Sequence, residues 1–415
     1  MAFNYEINQL ELMQARIKSV PHGWQFTYVG KAFCIRNNLR KPISEEERSM
    51  SPGNYPYYGP TKIQGYIGTF EQDGSYALIG EDGDHFLKFE KHSMTQLVDG
   101  KCTVNNHAHI IEGTKEASRE WFYYYFMHRD IFSFLSRQGA GRYKLNKASL
   151  EKMPLLLPPI VEQKKIAQIL STWDKAISVT EKLLANSQQQ KKALMQQLLT
   201  GKKRLLDENG VRFSGEWKRV KLGAIADMNS GGTPKSTVEE YYGGNIPWVS
   251  ISDMTSNGKW IATTEKYLTE LGLNSSSARI YPKNSVLYAM YASIGECSIA
   301  AVNLTSSQAI LGIRPKDCLN YEFLYFYLTS LKEKIKLQGQ QGTQSNLNAG
   351  MVKEFELDLP SIREQQKIAA VLSAADAEIS TLEKKLACLR DEKKALMQQL
   401  LTGKRRVKVD EAVAE

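Results

Sequence analysis

One string is written twice in this chain. Lys191–Lys202 reads KKALMQQLLTGK, and Lys393–Lys404 reads it again, 202 residues later. At the same offset Glu162, Gln163, Lys165, Ile166, Ala167, Leu170, Ser171, Asp174 and Ile177 meet Glu364, Gln365, Lys367, Ile368, Ala369, Leu372, Ser373, Asp376 and Ile379. No gap is needed from Pro158 to Arg204. A period this long is far beyond that of a solenoid, so it marks a duplicated half-molecule.

Each copy reads as one helix. Pro158–Pro159 and Pro360 block propagation from upstream. No further Pro or Gly occurs until Gly201 or Gly403, where a C-terminal cap wants a residue free to take positive φ. Lys202, Lys203 and Arg204, and Lys404, Arg405 and Arg406, suit the negative end of the helix dipole. At about 40 residues each helix is roughly 60 Å long. Apolar positions step by four and three: Ile166, Leu170, Trp173, Ile177, Leu184, Leu194 and Leu198 in one copy, Ile368, Leu372, Ala375, Ile379, Leu382, Leu386, Leu389, Leu396 and Leu400 in the other. That is a coiled-coil seam, and the two seams are natural partners. Lys191 and Lys393 break it at equivalent positions, where a polar residue costs stability and fixes register.

The rest of the chain supplies two globular segments of mixed texture. Short β-rich runs and turn signals such as Pro52-Gly53-Asn54 and Asp73-Gly74 fill the first, with a helix expected over Ala117–Arg137. The texture resumes after a polar linker at 205–216. The fold class expected is α+β, with two similar domains separated by two long antiparallel helices in a pseudo-two-fold arrangement. The expected boundaries are an N-terminal helix and first domain at 1–157, a spacer helix at 158–204, a linker and second domain at 205–357, a second spacer helix at 358–404 and a disordered tail at 405–415. Hydrophobic residues make up 42%, enough for packed cores rather than disorder. No apolar run has the length of a membrane span. Five scattered cysteines without a Cys-x-x-Cys pair fit a reduced cytoplasmic setting without structural zinc.

Catalytic signatures are weak. Gly231–Ser236 lacks the spacing of a phosphate loop, and Pro234 interrupts it. Asn54-Tyr55-Pro56-Tyr57 is similar to the Asn-Pro-Pro-Tyr motif of amino-methyltransferases, but its prolines are misplaced; a proline-bounded turn with stacked tyrosines is the expectation. His107 and His109 on a strand would share a face, yet nothing nearby completes a metal site. No catalytic and no metal-ligating residue is assigned. Recognition remains. The net charge of +9 favours a polyanion as partner. Loops that mix cations, amides and hydroxyls offer phosphate and base-edge contacts. The candidates are Lys62 and Gln64, then Arg142, Tyr143 and Lys144, in the first domain, and Thr233, Lys235 and Ser236, with Gln344, Ser345 and Asn346, in the second. Trp248–Asp253 is a further loop of this kind. Gln196, Gln197, Gln398 and Gln399, on the outer helix faces, are candidates for docking partner proteins.

The Pro-x-x-x-Glu-Gln-x-Lys-Ile-Ala runs at 158–167 and 360–369, the Gln-Gln-Leu-Leu-Thr-Gly ends at 196–201 and 398–403, Tyr55–Gly59 and Gly231–Pro234 together resemble the DNA-specificity subunit of Type I restriction–modification systems. The resemblance covers nearly the whole chain. It implies two target recognition domains, each reading half of a split, asymmetric target in double-stranded DNA. It also implies two modification subunits clasping the chain and restriction subunits joining for cleavage. S-adenosylmethionine, ATP and Mg would belong to those partners and no cofactor to this chain, which would be non-catalytic. An enzyme with its own active site and a scaffold that only joins proteins are the competing classes.

Geometry points the same way as the resemblance. Domains that differ inside imply half-sites that differ, and successive major-groove sites are separated by whole turns of about 34 Å. Changing both helices by whole heptads is therefore expected to alter the length of the unread spacer and leave both half-sites intact. Methylation sequencing of DNA from cells carrying the protein and its modification partner would read both quantities.

Overall fold

The computed structural model describes residues 2–11, 13, 19–138, 142–291, 293–340 and 347–408. The chain begins with α1 (Ala2–Glu11), β1 (Gln25–Tyr28), α2 (Val29–Ala32), β2 (Cys34–Ile35), α3 (Glu45–Met50), β3 (Pro52–Tyr58), β4 (Ile63–Ile67) and β5 (Gln72–Gly80). It continues through β6 (Thr95–Val104), β7 (Ala108–Glu112), α4 (Arg119–Phe126), β8 (Ser136–Gln138), β9 (Arg142–Lys144), α5 (Lys147–Glu151) and β10 (Pro154–Leu157) into the long helix α6 (Ile160–Leu198). Then come β11 (Lys218–Lys221), α7 (Leu222–Ile225), β12 (Ala226–Ser230), β13 (Tyr242–Val249), α8 (Ile251–Asn257), β14 (Trp260–Ile261), β15 (Lys266–Leu268) and α9 (Glu270–Asn274). Last are β16 (Val286–Ala289), β17 (Cys297–Ala300), β18 (Thr305–Ser306), β19 (Ile310–Pro315), α10 (Tyr321–Gln340), α11 (Ala349–Lys353), β20 (Glu356–Leu359) and α12 (Ile362–Leu400). No helix among the described residues is long and apolar enough to cross a membrane.

Two compact units result. Unit 1 is Met1–Glu181 with Lys385–Glu415, and unit 2 is Lys182–Lys384. This division cuts across the spans expected from sequence, because each unit takes half of both long helices. Within unit 1 the two helix segments run antiparallel: Asp174 pairs with Lys393 and Glu181 with Arg390. Within unit 2, Ser187 bonds Glu378 at 3.0 Å and Lys191 pairs with Asp376. Both lysines that break the apolar seam thus meet a carboxylate, and both carboxylates were already visible as repeat partners. Each lysine also lies over a ring, Lys393 over Tyr124 at 5.6 Å and Lys191 over Phe326 at 5.7 Å.

The helix ends follow their sequence. Gly201 and Gly403 both adopt φ of 69°, the left-handed conformation that ends a helix. The cations beyond them go further than the dipole argument supposed. Arg406 donates through Nε and Nη2 to Glu162, at 2.8 Å each, and stacks on Trp24, whose indole N–H donates to the same carboxylate at 3.0 Å. In unit 2, Arg204 donates twice to Glu364, at 2.6 and 2.7 Å, and Trp217 donates to it at 3.1 Å. Arg406 and Val407 are therefore ordered rather than part of a disordered tail, and Val407 packs on the unit 1 core. Residues 409–415 lie outside the described set.

The next residue of the repeat has an equally specific task. The Gln163 amide accepts from Ser118 N and donates to the carbonyls of Glu116 and Pro158. Gln365 accepts from Asn320 N and donates to the carbonyls of Cys318 and Pro360. Each glutamine ties the start of its long helix to the start of the domain helix, α4 or α10. Ile166 and Leu170 then join Met397, Leu400 and Leu401 in the unit 1 core, and Ile368 and Leu372 join Leu198 and Leu199 in that of unit 2.

Around this shared frame the interiors differ. Unit 1 has a six-stranded sheet in the order β2-β7-β5-β6-β3-β4, whereas unit 2 has a five-stranded sheet, β12-β19-β16-β17-β14, and a three-stranded one, β15-β13-β18. The domain helix is short in unit 1, ending at Phe126 rather than near Arg137. The carbonyl of Met127 accepts from Met94 N at 3.1 Å, and Asp130 accepts from Phe132 N, forming a turn that stops the helix. The segment around Asn54–Tyr57 is also not a turn. It lies in β3, with the buried Tyr57 hydroxyl accepting from Ile43 N.

Glu162→Ala would leave the Trp24 indole and the Arg406 guanidinium without their acceptor, at an expected cost of about 2–3 kcal/mol. The melting temperature of the protein should fall by roughly 5 °C, and Glu364→Ala should act likewise. A thermal melt unmoved by either variant would contradict the role given to these carboxylates.

Candidate nucleic-acid interface

The turn between β3 and β4 places Lys62 in solvent, and its own carbonyl accepts from Gly59 N at 2.9 Å. Gln64 follows on β4, the edge strand, where its Oε1 accepts from Asn105 at 3.0 Å. The second candidate group of unit 1 is strand β9. Arg142 is exposed, while Tyr143 packs half-buried against Phe132, with ring centroids 5.4 Å apart. Arg137 on β8 lies over the Tyr143 ring at 5.8 Å.

Lys144 turns inward instead and meets Glu81 at 3.3 Å. Glu81 also receives Arg40 and lies 3.8 Å from the buried His109. Burial works to raise the Glu81 carboxyl, but Arg40 and Lys144 outweigh it and hold the group below the ordinary glutamate range. Burial pushes the His109 imidazole down. Its Nε2 lies 2.7 Å from the Leu145 carbonyl, so that nitrogen carries the hydrogen and Nδ1 accepts from Asn37 at 2.8 Å. His107 lies in the turn before β7 and bonds Asp82. The two histidines therefore do not share a strand face, and no metal-holding cluster occurs among the described residues. A path of direct contacts joins the two candidate groups: Gln64 to Asn105, Asn105 to His107, His107 to Asp82, and Asp82 to Lys144 by a β-bridge.

In unit 2 the Gly231–Ser236 loop is built on a buried base. A Cβ on Gly231 would meet the Ser306 carbonyl at 2.3 Å, and one on Gly232 would meet Ala278 N at 2.2 Å. Only glycine permits that approach. Trp248 donates to Gly232 O at 2.9 Å and Tyr242 to Pro234 O at 2.7 Å. Thr233, Lys235 and Ser236 are thereby presented outward on a fixed backbone. The close approach to Ser277–Ala278 also brings Arg279 to this edge, where it contacts Asn229 at 3.4 Å; its position was not marked by any local motif. Ser250–Asp253 is different. Ser250 and the buried Asp253 form a capping box at the head of α8, so these side chains serve the helix. Gln344, Ser345 and Asn346 lie outside the described residues.

Gln196, Gln197, Gln398 and Gln399 are all exposed near the C-terminal ends of the long helices. Their backbone carbonyls accept from Thr200, Lys203, Thr402 and Arg405 respectively. Among residues that sequence reading passed over, Glu81 and Arg40 had no signal beyond their charge, since each meets partners far along the chain.

Comparison with known proteins bears on the family and the fold. The Type I restriction modification DNA specificity domain matches the sequence twice, over residues 21–186 and 214–389. The Type I restriction enzyme MjaVIII specificity subunit of Methanocaldococcus jannaschii is 26% identical over 427 residues, covering 98% of each chain. The MjaIX specificity subunit of the same organism is 36% identical over 172 residues, which is 41% of this chain and 40% of that one. Among solved structures, the S subunit of a Type I restriction–modification system from M. genitalium has a similar fold, with a TM-score of 0.62, 15% identity and coverage of 93% of this chain and 96% of that one. With both halves matched and the fold shared, the chain belongs to the Type I restriction–modification DNA-specificity family.

Proposed function

We propose that the protein reads a bipartite, asymmetric target in double-stranded DNA, unit 1 taking one half-site and unit 2 the other. The observation that carries this is the contrast between frame and interior. Glu162, Gln163 and Arg406 make the contacts that Glu364, Gln365 and Arg204 repeat, while the sheets inside differ in strand number and order. A recognition surface built from unlike sheets on a like frame suits two unlike half-sites. Lys62, Gln64 and Arg142 in unit 1, and Thr233, Lys235 and Ser236 in unit 2, supply the donor types that phosphates and base edges take. On the same strand Tyr143 lies under Arg137 and Lys144 pairs with Glu81, and both belong to the proposed unit 1 surface. Gln344, Ser345 and Asn346 remain part of the proposed unit 2 surface on their residue types.

The same reading places two modification subunits on the exposed faces of the long helices, with Gln196, Gln197, Gln398 and Gln399 in their contact area. ATP-driven restriction subunits join that assembly in the cytoplasm. S-adenosylmethionine, ATP and Mg are bound by those partners, and the chain contributes sequence choice without a catalytic group of its own.

A gel shift with the complex of this chain and its modification subunits tests the proposal. Scrambling either half-site should weaken binding by ten-fold or more, of the order of one or two lost base contacts. Unchanged affinity on scrambling one half would overturn the bipartite reading. Affinity should also fall as salt rises, and Lys235→Ala should reduce the slope of log K against log salt by about one.

A further inference from the structure

We infer that Glu81 is a positioning residue for reading the half-site that unit 1 takes, because it fixes the β8–β9 hairpin from which Arg142 projects. The inference rests on the proposed reading of unit 1 as a DNA-recognition domain and goes beyond it to a residue that would not itself touch DNA.

The hairpin has three residue pairs, from Ser136 opposite Lys144 to Gln138 opposite Arg142. A ribbon that short does not hold its own geometry in water. Its orientation is set from below, by the segment that follows β5. Leu145 N donates to Glu81 O at 2.7 Å, Gly83 N donates to Tyr143 O at 3.1 Å, and Asp82 bridges Lys144. The Glu81 side chain, 14% exposed, then gathers Arg40 and Lys144, and the buried His109 ring, only 1% exposed, lies beside it at 3.8 Å. Arg40 is pinned in turn by the carbonyl of Asn106, and His109 by that of Leu145, at the foot of the hairpin.

Burying such a set of charges costs solvation that an apolar anchor would not incur. What a fully bonded polar cluster gives instead is a single geometry. That has value where an exposed group must be aimed. Arg142 and Arg137 are the exposed cations of this hairpin, and Arg137 is braced on Tyr143. A guanidinium reads guanine through a bidentate contact only within a narrow range of orientation, so a tilt of the hairpin would cost discrimination before it cost affinity.

The test uses the full complex with its modification subunits and compares binding to the intact target with binding to each scrambled half-site. Glu81→Ala, Glu81→Gln and Arg142→Ala should each lower discrimination at the same half-site, Glu81→Ala and Arg142→Ala by about ten-fold, and leave the other half-site unchanged. That second half-site is the internal control for folding, and the near-isosteric Gln variant guards against collapse of the cluster. The double variant Glu81→Ala/Arg142→Ala should be no worse than Arg142→Ala alone, the mark of one residue acting through the other. Loss at both half-sites or at neither, or additive losses in the double variant, would overturn the inference while the bipartite reading stands. A wild-type complex without preference at either half-site would overturn both.

Discussion

A buried carboxylate receiving an indole and a guanidinium is the contact on which each half of this protein depends. Glu162 is 4% exposed and Glu364 1%. Neither could be buried unpaired, since an isolated charge in an apolar setting is expensive. Each therefore requires its tryptophan from the start of the domain and its arginine from beyond the end of the other long helix. One side chain thereby fixes three stretches of chain that are distant in sequence. The neighbouring glutamine adds a fourth stretch by capping the approach to α4 or α10. The repeat is thus more than a pair of matching seams, because its first residues organise the domain that precedes them.

Much of the frame was legible from the sequence. The prolines, the terminal glycines and the four-three spacing located both helices, and the repeated Asp174 and Asp376 were on view before their lysines were seen to need them. The parts that were not legible share one cause, which is dependence on distant partners. Whether a helix continues past Phe126 depends on Met94 claiming the next carbonyl. Whether Arg406 belongs to a tail depends on a glutamate 244 positions earlier. His107 and His109 look equivalent by spacing and are separated by the exact point at which β7 begins. The candidate loops show the same division. Buried glycines under Thr233–Ser236 could be suspected from the Gly-Gly-Thr-Pro run, whereas Glu81 beneath the β8–β9 hairpin had no local mark.

The candidate surfaces also differ in how they are held. In unit 2 the Gly231–Ser236 loop is fixed by close backbone approach and by two aromatic donors to its carbonyls. In unit 1 the hairpin rests on a charged cluster. The first support is steric and insensitive to charge, and the second is electrostatic. Substitutions that are harmless beneath one surface need not be so beneath the other, even though both sit on the same frame.

The closing contacts of Arg406 carry a consequence for how the chain is made. Arg406 donates to the His22 carbonyl at 2.7 Å, so two residues 384 positions apart touch. Unit 2 is one unbroken stretch, whereas unit 1 is assembled from an early stretch and a late one. On a ribosome, every piece of unit 2 is present while unit 1 still lacks its second helix segment and the arginine that satisfies Glu162. The domain synthesised first is therefore the one completed last. Until the stretch from Lys385 onward is made it must keep a partly formed core, with Ile166 and Leu170 awaiting Met397 and Leu400, in a state open to misassembly or capture by chaperones.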